Sequence, residues 1–284
     1  MLSLHTNAAA LFTKSNLNAS QSALTTAMTR LGTGYRINSA MDDAAGLQIA
    51  TRLDAQSRGM TVAMKNTQNG VSMLQTAESA LGEVTNILQR MKDLATEGAN
   101  ATATAADKTA MQAEFDALGK ELGNITANTS FGGEKLLVGG KIAGALDFQI
   151  GATAAEKMSV DLSAQMTDLD TKLKAASKTY DPANATGTEI TGGAAAAIGT
   201  LDAALASVGT VRSALGANAN RLNHAFNNLS NVNNNTQISK SRIMDTDYAQ
   251  ETATMTARQM LMQAGTSMLK QSGSIGQLAM SLMQ

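Results

Sequence analysis

The fold is decided by residues 74–91, which read LQTAESALGEVTNILQRM. The apolar residues that share one helical face in this stretch are Leu74, Ala77, Leu81, Val84, Leu88 and Met91. Working outward, the pattern begins near Ser39, a good N-cap, with Asp42 and Asp43 in the first turn. It continues to about residue 98, and a helix of about 55 residues spans roughly 80 Å at ~1.5 Å per residue. Such a helix is far too long for the core of a small globule.

The segment before this helix also has a helical repeat. In residues 1–36, Leu17, Leu24 and Leu31 recur every seven residues, and the pair Gly32 and Gly34 interrupts the pattern. After an Ala/Thr loop at 99–104, a third helix is predicted up to Phe131. Its stripe consists of Met111, Phe115, Leu118, Leu122 and Ile125.

The middle of the chain changes period. Alternating apolar residues on either side of a turn at 151–157 predict a β-hairpin near residues 146–162. Residues 163–193 hold the single proline, Pro182, and no persistent period, so residues 166–192 are interpreted as a short central loop.

The helical pattern returns at Gly193 and extends to about residue 244. The last segment, 245–284, has two apolar tracks of period seven. One track is Leu261, Met268, Ile275 and Leu282, and the other is Met255, Met262 and Leu269. Helices with an apolar stripe require a mate, so we expect the N- and C-terminal helices to pair with each other and with other copies. The predicted fold is mainly α, a long-helix coiled coil or bundle with one small β-hairpin.

Composition argues against several functional classes. The 22 basic and 23 acidic residues nearly balance and form no basic patch for nucleic acid. No segment reaches the roughly 20 apolar residues of a membrane span, and the N-terminus has no signal-peptide pattern. Without cysteine there is no thiolate chemistry, and His5 and His224 belong to no metal motif. We therefore expect no enzyme activity, cofactor or metal. On these facts alone a cytoplasmic protein is favoured over an exported one, although composition does not decide between them.

Two segments resemble the signatures of bacterial flagellins. Residues 31–46, LGTGYRINSAMDDAAG, are similar to the N-terminal signature, and residues 241–251, SRIMDTDYAQE, are similar to the C-terminal one. QAGTSML at 263–269 also matches. The resemblance implies a subunit of the extracellular flagellar filament, used for swimming or swarming. Such a subunit is exported unfolded through the flagellar type III apparatus, held by an export chaperone, and polymerised beneath a cap beyond the hook-junction proteins.

The resemblance also implies a division into domains. Residues 1–42 with 245–284 would form the inner coiled-coil domain, and residues 43–165 with 193–244 the surrounding helical domain. Copies would polymerise through the terminal helices, whose predicted contact residues are Leu17, Leu24, Leu31, Leu261, Met268, Ile275 and Leu282. The central loop would replace the variable outer domain of longer flagellins.

A second implied site is a recognition patch for Toll-like receptor 5 of animal hosts. Residues 89–94, QRMKDL, and Glu114 are similar to the segment that this receptor recognises. By resemblance, Gln89, Arg90, Leu94 and Glu114 would contact the receptor in the free subunit. Subunit packing is the alternative role, particularly for Leu94.

Two other protein classes stay open at this point. A hook–filament junction protein has the same organisation but does not grow long fibres. A cytoplasmic helical enzyme or scaffold would be found inside washed cells rather than in surface appendages.

Overall fold

The computed structural model describes residues 7–281, with side chains up to residue 274, and its architecture is mainly α. The helices are α1 (Ala8–Thr33), α2 (Ala44–Gly98), α3 (Ala105–Asn128), α4 (Ser163–Ala176), α5 (Glu189–Met244) and α6 (Tyr248–Ser281). Two antiparallel strand pairs join β1 (Ser130–Phe131) to β2 (Glu134–Lys135) and β3 (Ala145–Gln149) to β4 (Lys157–Asp161). The predicted fold class is confirmed.

Local side chains set the helix ends. The Asn7 side chain caps α1 by accepting a hydrogen bond from the Ala10 amide, and Gly34 ends this helix with a φ of 77°. In α3, Thr104 and Asp107 form a reciprocal capping box. The hydrogen bonds from Thr104 lower the pKa of Asp107 below its ordinary value.

The predicted start of α2 near Ser39 is wrong, because the two aspartates there serve different turns. Asp42 accepts hydrogen bonds from the amides of Asn38 and Ser39 at 3.0 and 2.9 Å. The hydrogen bonds from these amides, of which the one from Asn38 has the largest effect, lower the pKa of Asp42 below its ordinary value. Asp43 accepts from the Gly46 amide at 2.8 Å. The helix therefore begins at Ala44, after a separate turn.

The predicted hairpin is present, with Leu146 opposite Val160 and Phe148 opposite Met158. The ring of Phe148 packs against the backbone of Gly70 in α2. A Cβ atom added there would lie 2.9 Å from the ring. A side chain at this position would displace the hairpin.

The interpretation of residues 166–192 as a loop is wrong for most of this range, and the irregular stretch is limited to residues 181–188. Residues Ser163–Ala176 form α4, a 3₁₀ turn follows at Lys178–Tyr180, and α5 already begins at Glu189. The buried residues of α4 are Met166, Leu169, Leu173 and Ala176. Their spacing of three and four is a helical period, which the intervening Thr, Asp and Lys residues concealed in the sequence.

The chain divides into two compact units, and both α2 and α5 contribute to each of them. Unit 1 consists of Met1–Gln56 and Asn234–Gln284, and unit 2 of Ser57–Asn233. These limits lie within the long helices, whereas the sequence placed the borders at 42 and 245.

Unit 2 holds one continuous apolar core. The side chains of α2 in this core include Leu74, Leu81, Val84, Leu88 and Met91, and those of α3 and α5 include Phe115, Leu122, Leu201, Val208 and Leu215. Among the described helices, α5 alone is long and apolar enough to cross a membrane. The core helix of a soluble protein passes the same test of length and composition.

Candidate polymerisation surface

Helices α1 and α6 pair along a seam of their least exposed residues. On α1 these residues are Ala10, Thr13, Leu17, Ser20, Leu24, Ala27 and Leu31. On α6 they are Glu251, Met255, Arg258, Met262, Gly265, Leu269 and Ser272. Both sets alternate steps of three and four, the heptad spacing of a coiled coil. Large and small residues alternate from Thr13 to Leu31 on α1 and from Met262 to Ser272 on α6, which favours close packing there.

Three contacts fix the direction and register of this pair. The Asn7 side-chain amide donates to the Ser272 carbonyl and hydroxyl oxygens at 3.2 and 3.0 Å. Leu17 lies against Gly265, where an added Cβ would be 3.3 Å from Leu17 Cδ1. Arg30 Nη1 lies 3.8 Å from Glu251 Oε2. Since residue numbers rise on one helix as they fall on the other, the pair is antiparallel.

The backbone after α1 joins the backbone after α5. The amide of Arg36 donates to the Met244 carbonyl at 2.6 Å, and the amide of Thr246 donates to the Gly34 carbonyl at 3.0 Å. The Arg36 guanidinium donates to the Ile243 carbonyl at 2.9 Å. The two segments that resemble flagellin signatures therefore contact each other directly.

The residues predicted for polymerisation divide into two groups. Leu24 is buried in the seam, and Leu17 and Leu31 are half-buried there. Leu261 and Met268 do not face α1, and their exposed fractions are 54% and 64%. The side chain of Ile275 and the whole of Leu282 lie outside the described residues.

The seam of α6 instead uses the other seven-residue track, Met255, Met262 and Leu269. A period of seven shows that residues share a face, but it does not say which face meets a given partner.

Unit 1 exposes much apolar area. We define the terminal apolar surface as Leu11, Phe12, Met28, Met260, Leu261 and Met268, which are 47% to 74% exposed. Eleven of the thirteen large hydrophobic side chains exposed in the described part of the chain belong to unit 1. Exposed apolar residues at this density are typical of protein–protein contact surfaces.

The predicted receptor patch is only partly on the surface. Gln89 and Arg90 are exposed, and Arg90 Nη2 lies 2.8 Å from Glu114 Oε1. The hydrogen bond to Glu114 raises the pKa of Arg90. Leu94, by contrast, is 2% exposed and belongs to the core of unit 2. The side chain of Leu94 therefore packs inward, in keeping with the packing role left open by the sequence, and the receptor contact stays a prediction.

Unit 2 also contains a cavity of about 710 Å³ beside Tyr180. The Tyr180 hydroxyl accepts a hydrogen bond from Thr126 and donates one to Asp170 at 3.1 Å. Burial raises the pKa of Tyr180 above its ordinary value. Within the described residues, no group of three or more His, Asp or Glu side chains is placed to hold a metal ion.

Two family models match the chain. The bacterial flagellin N-terminal helical region covers residues 4–142, and the bacterial flagellin C-terminal helical region covers residues 198–283. The chain belongs to the bacterial flagellin family. The two models thus include both helices of the α1–α6 pair and both signature segments.

Curated flagellins match over the whole chain. Flagellin A of Vibrio anguillarum is 36% identical over 379 residues, and the alignment covers 100% of this chain and 100% of that one. Polar flagellin F of Vibrio parahaemolyticus serotype O3:K6 (strain RIMD 2210633) is 34% identical over 376 residues and covers 99% of both. These alignments exceed the 284 residues of this chain, so the relatives carry additional residues.

Solved structures of flagellar proteins are also similar. A Vibrio parahaemolyticus protein described as flagellar hook-associated has a TM-score of 0.56 at 15% identity, covering 72% of this chain and 100% of that one. This likeness concerns the fold alone. A Bacillus cereus flagellin has a TM-score of 0.46 at 29% identity, covering 58% of this chain and 88% of that one.

Membership of the family gives the chain its general function. Flagellins are structural proteins, and this chain is a subunit of the bacterial flagellar filament, an extracellular polymer that serves motility. Copies of the subunit polymerise with one another. The full-length match to flagellins decides between a filament subunit and the two alternatives left open by the sequence.

Proposed function

We propose that the terminal apolar surface is where the subunit contacts neighbouring copies, and that the α1–α6 pair forms the inner coiled-coil domain of the filament. The observation that carries this proposal is the exposure of Leu261, Met268 and Phe12 on two helices that already cover each other along one seam. A two-helix pair has only one mutual face, so its remaining apolar residues need another partner. Further copies of the chain provide one.

The net charge of the chain and the size of its exposed apolar side chains also favour other copies of the chain as the partner. The chain has a formal net charge of −1, so close packing of many copies brings little electrostatic repulsion. Burial of a large apolar side chain contributes about 1.5–3 kcal/mol. Six such side chains per subunit, repeated at every contact along a polymer, can drive association.

The decisive experiment places a carboxylate on this surface. In Leu261→Asp and Met268→Asp, burial of an unpaired charge costs several kcal/mol, and we expect seeded polymerisation to fall at least a hundredfold. Gln263→Glu is the matched control, since Gln263 is an exposed polar residue of the same helix. Normal fibre growth by both aspartate variants would refute the proposal, and equal loss in the control would point to a general effect of charge on α6.

The route to the filament follows from the same family membership. We propose export of the unfolded chain through the flagellar type III apparatus, with α6 held by an export chaperone and growth beneath a cap beyond the hook-junction proteins. An amphipathic helix with exposed apolar residues is a suitable chaperone target. In cells without a functional export apparatus the chain should stay in the cytoplasm, whereas secretion by such cells would contradict this route.

A second proposal concerns recognition of the free subunit by Toll-like receptor 5. It is supported by the exposure of Gln89 and Arg90 on α2 and by the ion pair that joins Arg90 to Glu114 of α3. A guanidinium that is half exposed, as Arg90 is, can still donate to a receptor.

The receptor proposal has a matched control within α2. We expect Arg90→Ala and Glu114→Ala each to weaken receptor activation about tenfold. Glu78→Ala removes an ion pair of α2 outside residues 89–94, with Arg212 at 3.3 Å, and should have little effect. Unchanged activation by the Arg90 and Glu114 variants would refute the patch.

A further inference from the structure

The most exposed and the most buried methionines of the described residues belong to different units. Four methionines of unit 1 are highly exposed, at 47% to 96%: Met28, Met41, Met260 and Met268. Four methionines of unit 2 are at most 6% exposed: Met60, Met91, Met158 and Met166. Since a thioether must be reached by an oxidant in order to react, the two units differ in their susceptibility to oxidation.

We propose that Met28, Met260 and Met268 are oxidation sites of the free subunit, and that their conversion to the sulfoxide blocks polymerisation. The co-reactant is a two-electron oxidant of the peroxide class. The sulfur lone pair attacks one peroxide oxygen, an S–O bond forms and the O–O bond breaks. The leaving hydroxide takes the proton of the hydroxyl group that was transferred to sulfur, which gives the sulfoxide and water. The thioether is thereby oxidised by two electrons and the peroxide is reduced.

The consequence for assembly rests on the proposed function of the terminal apolar surface. Sulfoxide formation replaces an apolar, flexible side chain with a polar and chiral one. The new S=O group accepts hydrogen bonds, and burying it against apolar residues of another copy leaves it without a donor. Met260 and Met268 lie on α6 about two turns apart, so oxidation affects the same contact region at two levels.

The position of the exposed methionines limits their oxidation to one stage of assembly. In the proposed filament contacts the three thioethers are covered, so they are accessible only before a subunit is incorporated. Reduction of the sulfoxide restores the original side chain. Oxidation is therefore a reversible block on free subunits that spares those already assembled.

The buried methionines of unit 2 provide an internal reference for the oxidation of the exposed ones. Met91 and Met166 are packed in its core at 0% and 2% exposure, so an oxidant that leaves unit 2 folded does not reach them. Met41 is 96% exposed but lies in the turn between α1 and α2, outside the two seam helices. It reports oxidation without belonging to the terminal apolar surface.

The test treats the full-length monomer with hydrogen peroxide, removes the peroxide with catalase, and measures seeded fibre growth. Peptide mass spectrometry quantifies each sulfoxide. We expect Met28, Met260 and Met268 to be oxidised at least ten times faster than Met91 and Met166. Fibre growth should then fall at least tenfold.

Two variants locate the effect. A variant with Met28→Leu, Met260→Leu and Met268→Leu should keep its growth rate within about twofold after the same treatment. Met41→Leu should stay as sensitive as the unmodified sequence. Treatment of the oxidised unmodified chain with methionine sulfoxide reductases should restore growth, and this arm stays informative if the triple variant assembles poorly.

Two results would contradict the proposed effect of oxidation on assembly. Normal growth of a chain whose three sites are fully oxidised would overturn the inference, as would equal loss of growth in the triple variant. Because these comparisons use oxidation and leucine substitutions, they are separate from the aspartate variants. The oxidation inference can therefore fail while the polymerisation surface stands.

Discussion

Unit 1 and unit 2 bury their apolar side chains in different ways. In unit 2, residues from α2, α3, α4 and α5 enclose a shared core in which Leu81 and Leu88 have no exposed area. In unit 1, α1 and α6 cover each other along one seam, while Phe12 and Met268 keep 74% and 64% of their area in solvent. Unit 2 therefore meets its packing requirement within one chain, whereas unit 1 meets only part of it.

This difference explains how one chain can fold on its own and also form a polymer. A unit with a closed core supplies stability that does not depend on assembly. A helix pair with one covered face has low local stability, and its uncovered apolar residues favour association. The same helical period thus produces a folded body in one region and a site of polymerisation in the other.

The largest effect that would separate the two units is a truncation. Deleting residues 250–284 removes nearly all of α6, including the contacts of Arg30 and Leu17 with that helix. We expect fibre formation to be abolished, while the circular dichroism and denaturant midpoint of unit 2 remain nearly unchanged. Long fibres from the truncated chain would contradict the pairing of the two ends.

A pair of leucine substitutions sharpens the comparison. Leu81→Ala creates a cavity in the core of unit 2, where Leu81 is fully buried, and should lower the free energy of unfolding by about 2–5 kcal/mol. Leu24→Ala, in the seam of unit 1, should have a much smaller effect on monomer unfolding. It should slow seeded polymerisation instead. The reverse assignment of the two effects would show that the units are not distinct in this way.

Two glycines of α6 test the closeness of the seam. Gly265 lies against Leu17, so Gly265→Leu should separate α1 from α6 and lower the thermal stability of the helix pair by about 1–3 kcal/mol. At Gly273 no atom lies within 4 Å of an added Cβ. Gly273→Ala should therefore raise helix stability by about 0.5–1 kcal/mol. Similar behaviour of both variants, followed by thermal melting, would argue against a tight seam.

A smaller effect concerns unit 2 at alkaline pH. Burial raises the pKa of Tyr180, so the folded state holds this proton more tightly than the unfolded state. Its contribution to stability is complete below pH 10.0, the ordinary value, and is lost as the pH rises above it. Denaturation between pH 9 and about 11 should show a steeper loss for the unmodified chain than for Tyr180→Phe. Equal slopes would contradict this role of Tyr180.

Much of unit 2 could be predicted from the sequence because its signals are local. Steps of three and four along α2, α3 and α5 define long stripes, and each stripe meets the common core. The hairpin followed from period two in the same way. Residues 163–176 were missed because α4 is short, and its four apolar positions are separated by polar residues that are also common in loops.

The candidate surface was harder to predict, because period alone does not identify a partner. Leu17, Leu24 and Leu31 lie in the α1 seam, whereas Leu261 and Met268, predicted for the same contacts, face solvent. Two tracks on one helix can serve two partners, and only the three-dimensional pairing tells which faces α1. Leu94 shows the opposite difficulty. It belongs to the predicted receptor patch at residues 89–94, yet its side chain lies in the core.

The most direct test of this account is amide hydrogen exchange measured on the free monomer and on the filament. We predict that amides in α1 and in residues 248–274 of α6 exchange rapidly in the monomer and become at least a hundredfold slower in the filament. Amides of residues 71–95 in unit 2 should be strongly protected in both states. Strong protection of α1 and α6 already in the monomer, or no change on polymerisation, would contradict the claim that other copies complete unit 1.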